Sequence, residues 1–192
     1  MGGSPGIEDL KHDGFNAVLL AIGVQQCRLL GIPGEAGTGV FHCLQLMKKL
    51  AAGERAEIGR NVVVVVGGNV AIDGARAVNR LGAETVRVVC VESREKMPAG
   101  SREVVEAEEE GIIVMPSRQC LKIIRKSGAV KAVECIELAS MTFVEGKLIT
   151  EVLPGTGHSI AADTVMLAIG QSPDVSGISG LKPGDVDRKS VV

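Results

Sequence analysis

The residues whose types and spacing could do chemistry lie in one short loop and just past the strand that follows it. The loop is Val66-Gly67-Gly68-Asn69-Val70-Ala71, directly after a run of consecutive valines and before a stretch with helical apolar spacing. In that setting glycines let the backbone approach a diphosphate, and a third small residue lets the helix pack on the strand. The free N–H groups of the helix start then face phosphate charge. The spacing fits G-x-G-x-x-G/A at Gly68 and Ala71, with Val66 at the first position. Valine is stiff and poor at unusual φ, so Gly67 is expected to take over part of the turn. Glu92 lies 25 residues after Gly67, at the end of the next β-branched segment. A carboxylate there can accept hydrogen bonds from the adenosine ribose hydroxyls of NAD and repel the extra phosphate of NADP. Arg94 has the opposite tendency, because guanidinium groups bind phosphate. Taken alone, the loop also fits an ordinary strand-to-helix turn, and Arg94 an ordinary surface arginine.

The elements that must position these residues follow from periodicity and punctuation. Residues 61–66 read as a parallel strand buried on both faces. Residues 69–81 read as a helix with Gly82 at its C′ position, and residues 85–91 as a second strand, completing a β-α-β unit. Ser101 is a plausible N-cap for a helix to Glu110, ended by Gly111. Its acidic run, Glu106 and Glu108 to Glu110, reads as a solvated face. Residues 112–115 read as a third strand. Between 119 and 152 short alternating segments are separated by Ser127-Gly128 and Glu145-Gly146-Lys147, which predicts an antiparallel meander of three or four strands. Residues 41–52 read as a helix stopped by Gly53, and Gly31-Ile32-Pro33-Gly34-Glu35 as a turn. Residues 16–23, N-A-V-L-L-A-I-G, echo residues 163–170, D-T-V-M-L-A-I-G. Both are expected to be buried strands bracketing the nucleotide-binding unit.

Composition narrows the function classes. The 192 residues carry a formal charge of −2 and only three Phe, with no Tyr or Trp. Neither an electrostatic footprint for nucleic acid nor a stacking platform is present. No apolar run reaches the roughly 18–20 residues needed to span a bilayer, and the N-terminus lacks the pattern of a signal peptide. Cys27, Cys43, Cys90, Cys120 and Cys135 are scattered and odd in number, which reads as reduced thiols of a cytoplasmic protein. His12, His42 and His158 are isolated, so no metal ligands are assigned.

Residues 62–76, V-V-V-V-V-G-G-N-V-A-I-D-G-A-R, resemble the nicotinamide-binding segment of the glutamate synthase small subunit and related FAD-dependent pyridine nucleotide oxidoreductases. Ser93-Arg94-Glu95-Lys96-Met97-Pro98-Ala99 resembles a second hallmark of that family. Gly31-Ile32-Pro33-Gly34-Glu35 and Ala168-Ile169-Gly170-Gln171-Ser172-Pro173-Asp174 resemble its two interdomain junctions. The resemblance implies a two-domain flavoprotein in which hydride passes from nicotinamide to FAD, with iron–sulfur modules or a partner subunit taking the electrons. It implies a fold of the α/β class, a Rossmann-like parallel sheet with an antiparallel β-meander crossover in three layers. Residues 1–38 would be a partial FAD-domain strand and junction, 39–166 the NAD(P)H-binding domain, and 167–192 the return junction and tail. FAD is expected only in a complete parent protein, because no second glycine loop follows a strand here. Gly67, Gly68, Asn69, Val70 and Ala71 would hold the pyrophosphate, Glu92 the ribose and Arg94 a secondary contact. Gly170 would line the nicotinamide side. Direct hydride transfer needs no acid–base side chain, so no catalytic residue is assigned. Many members carry two arginines that read the 2′-phosphate of NADPH where Val91 and Glu92 stand. That difference favours NAD(H) over NADP(H). The sequence after Asp174 does not resemble the family. The alternative to a catalytic module is a degenerate Rossmann module serving assembly.

Overall fold

The computed structural model describes residues 6–24, 26–145 and 147–176. The chain divides into two compact units, Met1–Arg28 with Gly170–Val192, and Leu29–Ile169. The tail beyond residue 176 lies outside the described residues.

The larger unit is built on a parallel sheet of five strands in the order β2-β10-β3-β4-β5. These are β2 (Val40–His42), β3 (Asn61–Val65), β4 (Thr85–Val89), β5 (Ile113–Met115) and β10 (Thr164–Leu167). Side chains alternate across a strand, and the valine run uses this to make two cores. Val62 and Val64, with Val86, Val88 and Met166, pack against helices α2 (Cys43–Ala51), α3 (Asn69–Arg80) and α4 (Ser101–Glu109). Val63 and Val65, with Val89, Val165 and Leu167, pack against Cys120, Ile123, Val130, Val133, Cys135 and Ile160 of an antiparallel layer. That layer comprises β6 (Arg118–Lys126), β7 (Ala129–Val144), β8 (Lys147–Val152) and β9 (His158–Ala161). Both faces of the parallel sheet are thus covered, which is why its strands read as unbroken apolar runs. The result is three layers: helices, parallel sheet, antiparallel sheet.

The expected β-α-β unit, the meander and the returning strand are all present. Asp163 and Thr164 lace the start of the central strands together. The Asp163 carboxylate accepts the Arg60 and Asn61 N–H groups at 3.0 Å, and Thr164 Oγ1 accepts the Gly59 N–H at 3.0 Å. Short strand β2 escapes the sequence pattern, since three residues between Gly39 and a helix carry no period. Gly100, not Ser101, is the N-cap of α4. The acidic end of α4 is not simply solvated. Arg76 bonds Glu110 at 2.6 Å and Glu106 at 3.3 Å, with its guanidinium about one-fifth exposed.

The smaller unit contains α1 (Ile7–His12) and the two-stranded pair of β1 (Gln26–Cys27) with β11 (Gln171–Ser172). Residues 16–23, expected to be a buried strand, form none, and Leu19 is 91% exposed. A strand buries its backbone only by pairing, and among the described residues nothing pairs with this segment.

Candidate functional site

The site is assembled where β3 runs into α3. Val66 extends the ladder, its N–H donating to the Val89 carbonyl at 2.9 Å. It then turns the chain with φ +92°, in the region that side chains rarely adopt. A β-branched residue is least suited to it, and such strain costs on the order of 1–3 kcal/mol. Its isopropyl group packs on the core beneath the antiparallel layer. The expectation that Gly67 takes over part of the turn is therefore corrected: Val66 makes it, held there by its ladder bond and its packing.

Gly67 serves closeness instead. A Cβ on it would lie 2.9 Å from Cys90 Cβ and 3.2 Å from Met97 Cε. Gly68 is the N-cap of α3, and nothing lies within 4 Å of where its Cβ would be. Backbone is thus presented to open space. The Gly68 carbonyl accepts the N–H groups of Ala71 and Ile72. Among the described residues the N–H groups of Gly68, Asn69 and Val70 have no partner. The first turn of α3 contains no acidic residue to neutralise it. Donors, helix dipole and open space together fit an anionic group such as a diphosphate.

Two further contacts hold this geometry. Asn69 Oδ1 accepts the Gly100 N–H at 3.2 Å, and the Gly67 carbonyl accepts the Ala99 N–H at 3.1 Å. The Met97-Pro98-Ala99-Gly100 segment is thereby tied to the loop, which gives the second hallmark segment a structural role. Val70 is 41% exposed at the helix start, and its carbonyl accepts the Cys43 thiol at 3.1 Å. Ala71 is buried in the helix-side core. Gly74 escaped the sequence reading. Its would-be Cβ falls 2.2 Å from Cys43 Sγ and 3.0 Å from Met166 Cε, so it sets how closely α3 approaches α2 and β10. The signal was available as the small residues Ala71, Gly74 and Ala75 on one helix face.

Glu92 follows Cys90, the residue that abuts Gly67. Its side chain is buried, and Oε2 has no partner among the described residues. A buried unpaired carboxylate oxygen is costly, and a hydroxyl donor reaching it would relieve that cost. The Glu92 carbonyl accepts the Ser117 N–H at 2.8 Å, fixing the loop. Burial, reinforced by the Glu92 charge, pushes the Cys90 thiol up to about 12, so Cys90 is a packing group. Arg94 is engaged elsewhere. Its Nη1 and Nη2 bond the two carboxylate oxygens of Glu108 at 2.6 and 2.5 Å. The pairing holds the Glu108 carboxyl below the usual carboxylate range. Gly170 belongs to the smaller unit, with φ +85° and its carbonyl accepting the Arg28 N–H at 3.2 Å. The loop and the Cys90–Glu92 segment are thus neighbours, whereas Arg94 is drawn to Glu108 of α4. No helix among the described residues is long and apolar enough to cross a membrane.

Residues 6–182 match the pattern of the pyridine nucleotide-disulphide oxidoreductase family. Among curated relatives, the chain is 36% identical over 178 residues to the NADPH-Fe(3+) oxidoreductase subunit beta of Geobacter sulfurreducens. The match covers 88% of this chain and 26% of that protein. It is 30% identical to the glutamate synthase [NADPH] small chain of Escherichia coli, covering 87% of this chain and 38% of the relative. The chain thus spans well under half the length of either. Solved structures with the same fold include T. acidophilum thioredoxin reductase, with TM-score 0.59 and 19% identity over 83% of this chain and 46% of that one. Mycobacterium tuberculosis FprA in complex with NADPH superposes with TM-score 0.63 at 15% identity, over 80% of this chain and 50% of that one.

Proposed function

Because this chain belongs to the pyridine nucleotide-disulphide oxidoreductase family, we propose that its unit Leu29–Ile169 is the nicotinamide dinucleotide-binding module of a flavin-dependent oxidoreductase. The observation that carries the proposal is the open, un-neutralised start of α3, with unpartnered N–H groups at Gly68, Asn69 and Val70. These three backbone groups hold the pyrophosphate. Val66, Gly67 and Ala71 shape the turn that aims them. Glu92 takes the adenosine ribose on its unpartnered oxygen, Arg94 stays in reserve beside Glu108, and Gly170 borders the nicotinamide side. Bound there, the dinucleotide supplies a hydride to an FAD held largely by segments outside this sequence. The chain's own task is to bind and orient; it places no acid or base on the reacting atoms.

We further assign the smaller unit to the FAD-binding half. The boundaries expected from the sequence, 1–38 for the outgoing junction, 39–166 for the nicotinamide-binding domain and 167–192 for the return, differ from the units' own limits, which fall after Arg28 and after Ile169. Electrons would leave through iron–sulfur or partner-subunit modules, and the relatives named as subunits support such an assembly. Five free thiols support a reducing compartment, the cytoplasm. Neither nucleic acid nor membrane is assigned as a partner. For the cofactor we favour NADH, against the NADPH in the relatives' names, because a carboxylate occupies position 92 and the Arg94 guanidinium is already paired.

Calorimetric titration of the purified chain with NADH and NADPH tests both levels. Binding of either supports the module, and tighter NADH binding supports the preference. Tighter NADPH binding overturns the preference alone. Absence of heat and of a thermal shift with both overturns the proposal and leaves an assembly module.

A further inference from the structure

The long hairpin of the antiparallel layer ends in a two-stranded ribbon, tied back to β6 by the Thr150 hydroxyl, which donates to Gln119 Oε1 at 3.0 Å. β6 stops pairing with β7 at Glu137. Beyond that point, among the described residues, β7 pairs only with β8, which ends the sheet. The ribbon is therefore two strands with free edges, a form that is marginally stable alone. It is also apolar on both faces: Phe143 is 60% exposed, Ile149 52% and Val144 48%.

The free edge of β8 has a symmetry of its own. Val144 pairs with Lys147 across a two-residue connection, so these two form a hydrogen-bonded pair, and such pairs alternate along the ladder. Ile149, facing Thr142, also bonds inward. Leu148 and Thr150, facing Phe143 and Met141, turn their N–H and C=O groups to the free edge. An antiparallel partner must match outward residues with outward residues. If the partner is a second β8, pairing Leu148 with Thr150 meets this condition and sets Ile149 opposite itself. In that register Lys147 faces Glu151 twice, once on each side of the axis. Both side chains lie on the face of Ile149, and neither has an ion-pair partner among the described residues. Charges on an edge strand commonly block pairing. Two charges of opposite sign, equally spaced about one residue, instead attract in an antiparallel self-pair.

We propose that the β7–β8 ribbon is a homodimerisation arm: β8 of a second copy of this chain pairs antiparallel with β8 about a two-fold axis at Ile149. The interface is isologous, as closed dimers require, and makes one four-stranded sheet from two ribbons. It sets the two Ile149 side chains beside each other on one face, flanked by Val144 of each copy.

Sedimentation of the full chain over a concentration series, with a charge-swap set, tests this. The wild type is expected to be a dimer. Lys147→Glu and Glu151→Lys each place like charges opposite each other and should raise the dimer dissociation constant about tenfold or more. The double variant restores both attractions and should recover the dimer. Ile149→Cys supplies a second reading that survives weak association. Diamide should convert its two symmetry-related thiols to one disulfide, taking up both protons and both electrons to become the hydrazine. Wild-type protein, treated in parallel, controls for Cys27, the one native thiol that is not buried. A monomeric wild type that gives no Ile149→Cys cross-link overturns the proposal. So does a dimer indifferent to the single reversals, or a loss that the double variant fails to rescue while melting midpoints stay unchanged.

Discussion

The two ends of the proposed dinucleotide site are made of different material. At the start of α3 the polar groups are backbone: the N–H groups of Gly68, Asn69 and Val70, backed by the helix dipole. Beyond β4 they are side chains, the Glu92 carboxylate and the Arg94 guanidinium. Backbone donors are present whatever the sequence, provided the chain can take the path, so that end is fixed by what must be absent: Cβ at Gly67, and acid in the first turn of α3. Side-chain groups can be exchanged singly. On this proposal one end determines whether a dinucleotide binds, and the other determines which one. Relatives of one fold can share the first end and differ at the second.

The largest break in this comparison should come at Gly67. A valine there puts atoms against Cys90 Cβ, which cannot swing aside because it is fixed to β4. Overpacking of this kind costs about 3 kcal/mol. A fall in melting midpoint together with loss of NADH binding is expected; an unchanged midpoint would mean that the loop is not tight. Next comes Gly68→Asp, for which there is space. As an N-cap, aspartate should stabilise α3 slightly. Its charge opposes the pyrophosphate and should weaken NADH about hundredfold. A midpoint that holds or rises while calorimetric affinity collapses separates binding from folding, which no change at Gly67 can do.

At the side-chain end effects should be smaller and should depend on the cofactor. Glu92→Gln keeps the shape and removes the charged acceptor, so NADH affinity should fall about tenfold. NADPH should suffer less, because repulsion of its 2′-phosphate goes as well. Glu108→Gln touches no cofactor. It releases Arg94 from its two short bonds and should raise NADPH affinity about threefold, since a freed guanidinium can meet phosphate. Equal changes for both cofactors in either variant would mean that this end does not discriminate.

How much could be read from sequence follows the same division. The valine run, the glycine loop and Gly82 are local signals, and each gave its element. The echo between residues 16–23 and 163–170 held for its second half only, because two octets alike at five of eight positions differ in whether neighbours are present to pair with them. Residues 164–167 lie between β2 and β3, while residues 16–23 have no strand beside them. Burial is not a property of the octet. The Asn69 to Gly100 bond and the Arg94 to Glu108 pair were invisible for a related reason, since each depends on the approach of a distant segment. Glu92 could be placed from its spacing alone, but its unpartnered oxygen could not.

The smallest expected effect is at Val66, where opposing terms meet. Val66→Gly relieves a positive φ that glycine takes freely, a gain on the order of 1–2 kcal/mol. It also removes a partly buried isopropyl group from the core beneath the antiparallel layer, a loss of about 1–2 kcal/mol. Glycine further widens the unfolded ensemble, a loss of roughly 0.5–1 kcal/mol. The sum lies near zero and slightly unfavourable, so the melting midpoint should move by only a few degrees. Binding separates two accounts that stability cannot. If valine held the loop in a poor shape, glycine would tighten the turn and enlarge the NADH-induced shift. But Val66 already stands at φ +92°, with its N–H on the Val89 carbonyl and Gly67 against Cys90. The donors of Gly68 to Val70 are therefore already aimed, and the substitution changes what holds the turn but not the turn itself. An NADH-induced shift equal to that of the wild type is expected. A larger shift would mean that the backbone end, too, is tuned by a side chain, and the division between the two ends would fail at its first residue.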